Sequence, residues 1–227
     1  MNTRGLLDQL LKSGQELLQN GGGQAKSGQG GQLGNLLGSV GGGALGGGAI
    51  ALLLGSKKAR KMSGKVLTYG GLAALGVVAY KAYNNWQQQQ QAGAARTIEP
   101  QTVDRLPAPQ AEQHSHAILR ALVAAAKSDG HIDARERQLI DDEVLRITGD
   151  RELQGWLDRE LNKPLDPAEV ASAAQSPEMA AEMYLASLLM VDQEHFMERA
   201  YLDELARQLK LDPALKSELE TQARQVL

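Results

Sequence analysis

The sequence predicts an all-α protein: Gly-rich, membrane-associated apolar helices first, then a compact C-terminal bundle of about seven helices. Three observations carry this. From Glu112 onward apolar residues recur at three- and four-residue spacing, and no stretch alternates as a half-buried strand would. Aromatic residues make up 4% of the 227, with a single Phe, too few for an aromatic-rich β-sandwich core. Asp166-Pro167, Ser176-Pro177 and Asp212-Pro213 each set a good N-cap before a proline at the first helical position.

Composition divides the chain in two. Residues 1–98 carry a charge balance of +8 and residues 99–227 one of −11, although the net charge is only −3. Of the 25 glycines, 22 precede residue 94, and all 7 prolines follow residue 99. There is no cysteine, which excludes disulfides, thiolate zinc sites and a cysteine nucleophile.

Residues 1–35 read as an amphipathic helix followed by a flexible tract. Leu6, Leu7, Leu10, Leu11, Leu17 and Leu18 share one side of a 3.6-residue period, which suits an interfacial helix on lipid or a partner, or a surface helix. Gly14 weakens it. Residues 20–35 are Gly/Gln/Ser-rich, the composition of a linker.

Residues 36–86 read as the membrane region. Leu36 to Gly55 is 20 residues without a charge, the length that crosses a hydrocarbon core of about 30 Å. Gly34, Gly38, Gly42 and Gly46 recur at four, so such helices can meet backbone to backbone in a homo-oligomer. The basic loop 57–65 follows, with Lys57, Lys58, Arg60, Lys61 and Lys65, which the positive-inside rule puts on the cytoplasmic side and which suits anionic headgroups. A second apolar run, Val66 to Tyr80, closes with Lys81, Tyr83 and Trp86, an interface-like ending. Three topologies compete: a hairpin, a single span by 36–55, or a single span by 66–83. The alternative is that both runs are buried soluble helices. Gly41, Gly43 and Gly46 fit G-x-G-x-x-G, but no strand precedes them, so no nucleotide site is expected.

Residues 87–111 hold a Gln run, Pro100, Pro107 and Pro109, and read as an extended tether between modules. Residues 112–227 form the helical domain. Its first helix carries Ile118, Leu119, Leu122 and Val123 and ends near Ser128. His114 and His116 at its start are expected to face solvent. The next stripe is Leu139, Ile140, Val144 and Ile147, closed by Gly149. Leu153, Trp156, Leu157 and Leu161 mark a helix that stops before Pro164, and the three proline-capped helices and one starting near Phe196 complete the count.

Two junctions look alike. Asp129, His131, Asp133 and Glu136 follow one helix, and Asp192, Glu194, His195 and Glu198 follow another. If the halves pair about a pseudo-twofold axis, these carboxylates converge, and carboxylate oxygens suit Ca²⁺ or Mg²⁺. The competing reading makes Asp133 and Glu136 helix caps, and the spacing is not that of an EF-hand. His131 and His195 read as loop histidines. Catalysis is not expected: no Ser-His-Asp arrangement, zinc motif or phosphate loop is legible. Nucleic acid is an unsuitable partner for a domain of this charge.

The stretch Ala125 to Glu136, A-A-K-S-D-G-H-I-D-A-R-E, resembles the signature of tellurite-resistance TerB-like domains, and Asp192 to Leu202 resembles that family's second acidic motif. Leu54 to Lys61, Tyr69 to Gly76 and Ala79 to Trp86 resemble the bacterial YebE-like family of inner-membrane proteins of unknown function. Together the resemblances cover about residues 36–226. They imply an all-helical, membrane-associated protein of the bacterial inner membrane, linked to metal or envelope stress. Carried over residue by residue, the family's proposed metal ligands fall on Asp129, Asp133, Glu136, Asp192 and Glu198. The reading reached is a non-catalytic, membrane-anchored adaptor or sensor, with an unidentified protein partner. The alternative is a structural scaffold assembled through the Gly faces, with no metal site.

Overall fold

In the computed structural model the described residues are 2–8, 72–90, 99–128, 138, 140, 144–145, 148–191 and 195–226. Eight helices are numbered here: α1 (3–8), α2 (Leu72–Gln90), α3 (Ala108–Ala126), α4 (Arg151–Asn162), α5 (Pro167–Ala171), α6 (Pro177–Met190), α7 (Phe196–Gln208) and α8 (Pro213–Val226). Residues 138, 140, 144, 145 and 148 are helical as well, with Ile140 and Val144 buried. No strand occurs among the described residues.

Helix α6 is the axis. Buried residues run round its whole circumference, from Met179 to Met190, as expected of a helix enclosed by others. It packs against α2, α3, α7 and α8. Four helix starts carry side-chain caps, three of them at the Asp166-Pro167, Ser176-Pro177 and Asp212-Pro213 pairs read in the sequence. Asp150 accepts from the Glu152 and Leu153 amides at 3.0 Å each, Asp166 from Ala168 at 2.9 Å, Ser176 from Met179 at 3.1 Å and Asp212 from Ala214 at 2.8 Å. Their ends are equally local. Gly149 takes a positive φ of 61° where the chain turns into α4. Helix α7 closes with Lys210 at φ 54°, its amide bonded to the Arg207 carbonyl and the Leu211 amide to the Ala206 carbonyl. That is a Schellman ending made without glycine.

Two parts of the chain depart from the expected organisation. The run 66–83 was read as a membrane segment, with residues 66–71 lying outside the described residues. Residues 72–83 belong to α2, whose Leu72, Leu75, Ala79, Ala82 and Tyr83 are buried in the same core as α6 and α8. The apolar surface that suggested lipid is used inside the protein. No helix among the described residues is long and apolar enough to cross a membrane. The tether also docks in part: Thr102 and Val103 are 1% exposed. Residues 36–55 and the basic loop 57–65 lie outside the described residues.

The strap 99–107 reaches α2 at a glycine. A Cβ on Gly76 would stand 2.5 Å from Asp104 Oδ1 and 3.0 Å from the Asp104 amide nitrogen. Arg105 stacks over the Tyr80 ring at 3.9 Å and pairs with Glu99.

The N-terminus returns to this core too. Leu6 is 1% and Leu7 0% exposed. The Thr3 and Arg4 amides, unpaired donors of the first turn of α1, bond the two Glu112 oxygens at 2.5 and 3.1 Å. Burying two leucines contributes about 3–6 kcal/mol, and two bonds to a charged acceptor about 3–6 more. Ordering the seven residues costs about 7–14 kcal/mol, so the docked state of 2–8 is held by a margin of only a few kcal/mol.

Gly76→Ala is expected to destabilise the protein by about 1–3 kcal/mol by pushing the strap away. Gly155→Ala, inside α4 with only the Arg159 side chain at 3.6 Å, is expected to stabilise it by about 0.5–1 kcal/mol. Urea unfolding of the two variants beside the wild type checks both signs.

Candidate functional site

The most constrained chemistry lies where α3, α6 and the strap meet. Glu182 is the only charged residue from Met179 to Val191 and is 0% exposed. A carboxylate there needs partners from other elements. One oxygen accepts the Val103 amide of the strap at 2.5 Å, and the other meets His114 Nδ1 of α3 at 2.5 Å. His114 is 6% exposed, so the expectation that it faces solvent is corrected: α6 packs along α3 and closes over it. Burial raises the Glu182 pKa, partly offset by the His114 bond, with Asp104 adding to the rise. The pair is sealed from solvent and fastens the strap.

His116, two residues further along α3, meets the Trp156 ring of α4 at 4.6 Å between centroids. Burial, and next Arg120, lower its pKa. Arg120 reaches Glu160 at 3.4 Å, and Lys163 binds the same carboxylate at 2.7 Å. Lys127 Nζ donates to the Glu160 carbonyl at 2.8 Å and to the Lys163 carbonyl, closing the end of α4.

A groove of about 630 Å³ opens on the other side of α2. Tyr83 and Trp86 form one wall, edge to face at 5.2 Å, and Gln175, Ser176, Lys210 and Asp212 lie around it. The Trp86 indole N–H donates to Asp212 at 3.1 Å while Asp212 caps α8. The Ala214 amide is the main cause of its lowered pKa. Among the described residues of the lining Asp212 is the only carboxylate and none is a histidine, and Ser176 is engaged as a cap.

Of the residues singled out as metal ligands, Asp129, Asp133, Glu136 and Asp192 lie outside the described residues, as do Glu194 and His131. Glu198 stands in the first turn of α7 and is 1% exposed. His195 precedes that helix without a capping bond from its side chain. Beside them Phe196 and Met197 are 75% and 54% exposed. Among the described residues no three His, Asp or Glu side chains come together as a metal site would require. Sequence reasoning missed Glu182, although a signal was present: in a helix apolar all round, any charge must be buried.

The raised Glu182 pKa has a stability consequence. The folded state holds this proton more tightly than the unfolded chain. Its contribution is complete below the ordinary carboxylate range and is lost as pH rises through the elevated value. The stability of the wild type relative to Glu182→Gln is therefore expected to fall as pH rises across that window. Urea denaturation at a series of pH values measures the difference.

A profile described as a protein of unknown function (DUF533) matches residues 39–223, covering the Gly-rich tract and the helical domain together. A protein of Yersinia enterocolitica described as an uncharacterized protein in the ampR 5′ region is 33% identical over 114 residues, covering 50% of this chain and 82% of the relative. No solved structure matches the chain. The chain belongs to this DUF533 family of proteins of unknown function.

Proposed function

We propose that the protein is a non-catalytic adaptor held at the cytoplasmic face of the bacterial inner membrane, its helical domain presenting recognition surfaces to a protein partner. The observation that carries this is the docking of both residues 2–8 and α2 in one core. Residues 2–8 and α2 flank residues 9–71, so both ends of that segment lie on the same side of any membrane. An excursion that crosses must cross back. A second crossing needs about 20 apolar residues. Residues 9–35 supply none, and residues 72–83 are spent in the core. Residues 36–55 and the basic loop 57–65 then meet lipid from one side, anchored to it without spanning it. The positive charge of the loop suits the anionic cytoplasmic leaflet and supports that side. The YebE-like and TerB-like resemblances support the same setting. The groove beside Tyr83 and Trp86 supports recognition over bond chemistry.

A second reading makes the adaptor responsive to Ca²⁺ or Mg²⁺ through Asp129, Asp133, Glu136, Asp192 and Glu198. Glu198, the one member of this set among the described residues, is buried in the first turn of α7, and carboxylate oxygens suit these hard ions. On this reading divalent ion raises the Tm of the EDTA-treated protein by several degrees, and the double variant Asp129→Asn/Asp192→Asn loses the rise. A Tm indifferent to both ions removes it.

The absence of cysteine makes the topology directly measurable. Single cysteines replacing Ser27 and Gln101 lie on either side of 36–55. Both are expected to resist a membrane-impermeant thiol reagent in intact spheroplasts and to react after permeabilisation. Labelling of one but not the other in intact spheroplasts would overturn the one-sided arrangement.

A further inference from the structure

We propose that residues 2–8 form a releasable latch whose Leu6–Leu7 pair exchanges between its seat on the helical domain and an anionic lipid surface. The proposal rests on the membrane-surface reading above. The two leucines are 1% and 0% exposed in the core, yet they also open the leucine stripe of an amphipathic segment flanked by Arg4 and Lys12. The same side chains cannot be buried in both places, so the two seats compete.

The latch is held from outside its own helix. Glu112 on α3 takes the Thr3 and Arg4 amides, and Asp150, already capping α4, takes the Asn2 amide at 3.3 Å. Among the described residues, neighbouring chain adds the Asn2 carboxamide bond to the Gly5 amide and the turn of the helix itself. Sixty-three residues separate Asp8 from Leu72, so undocking the segment leaves the rest of the core joined as before. The seat is also imperfect. Thr3 is 1% exposed, and its hydroxyl oxygen has no hydrogen-bond partner, a cost that release into water or a headgroup region removes. Closed, the latch ties both ends of the lipid-facing excursion to the domain. Open, it frees one end and adds apolar surface to the membrane contact.

The test uses the full chain with phosphatidylcholine vesicles containing 30% phosphatidylglycerol. Glu112→Ala removes the clamp. Hydrogen exchange in the peptide covering residues 2–8 is expected to rise at least about tenfold, with exchange in α3 and α6 unchanged. Vesicle affinity is expected to rise by about the same factor, because the competing seat is weakened. Adding Leu6→Ser and Leu7→Ser to Glu112→Ala keeps the segment released and abolishes the gain. Unchanged exchange in Glu112→Ala overturns the latch. Faster exchange without tighter vesicle binding overturns the lipid seat while leaving the membrane reading intact, provided the wild type still binds vesicles through Lys57, Lys58, Arg60 and Lys61. Failure of every form to bind vesicles overturns the lipid seat and the membrane reading together.

Discussion

A carboxylate in the middle of a helix that is apolar on every side has to be answered by groups from other elements, and much of this structure follows from how Glu182 is answered. One oxygen requires a ring nitrogen from α3, which sets the facing of that helix. The other requires a backbone amide from the strap, which pins Val103 under the bundle. With Val103 fixed, Asp104 lies against α2, and the residue facing it is glycine. A buried hydrogen-bonded carboxyl–imidazole pair adds little net stability beside a well-packed apolar core, but removing one partner strands a buried polar group. Its value here is positional: it selects one seating of strap and helices over the apolar alternatives.

The helical domain was legible because its punctuation is local. Asp166, Ser176 and Asp212 bond amides two or three residues ahead, and Gly149 adopts the backbone its position requires, so residues and spacing suffice to read them. The role of α2 was not legible. Its exposed positions are Ala73, Val77, Lys81, Gln88 and Gln89, so over the apolar stretch 72–80 both solvent-facing side chains are apolar and that stretch shows no polar face. Interface-like residues at its end misled for the same reason. Tyr83 and Trp86 suit a lipid headgroup region and an interhelical seam equally, since both settings offer an apolar body and a polar tip. His114 was misread because its exposure depends on which helix lies above it, a fact of tertiary pairing.

The candidate site was legible only in part. The sequence directed attention to candidate ligand carboxylates near helix starts, of which Glu198 alone falls among the described residues, buried in the first turn of α7. It passed over the groove, whose walls come from α2, the α5–α6 connection and the turn into α8. Residues that far apart in sequence share no spacing signature. What the family assignment adds is extent: one profile runs through the Gly-rich tract and the bundle, in keeping with α2 being part of the domain that follows it.

The bond from the Trp86 indole to Asp212 also gives the protein an optical handle. The chain has two tryptophans, and they lie in different seams, Trp86 between α2 and α8 and Trp156 against His116 between α3 and α4. Indole emission responds to the polarity and hydrogen bonding around the ring. With Trp156 replaced by Phe, the remaining fluorescence follows the attachment of α2 alone. That helix can then be watched leaving or joining the bundle without attaching a dye.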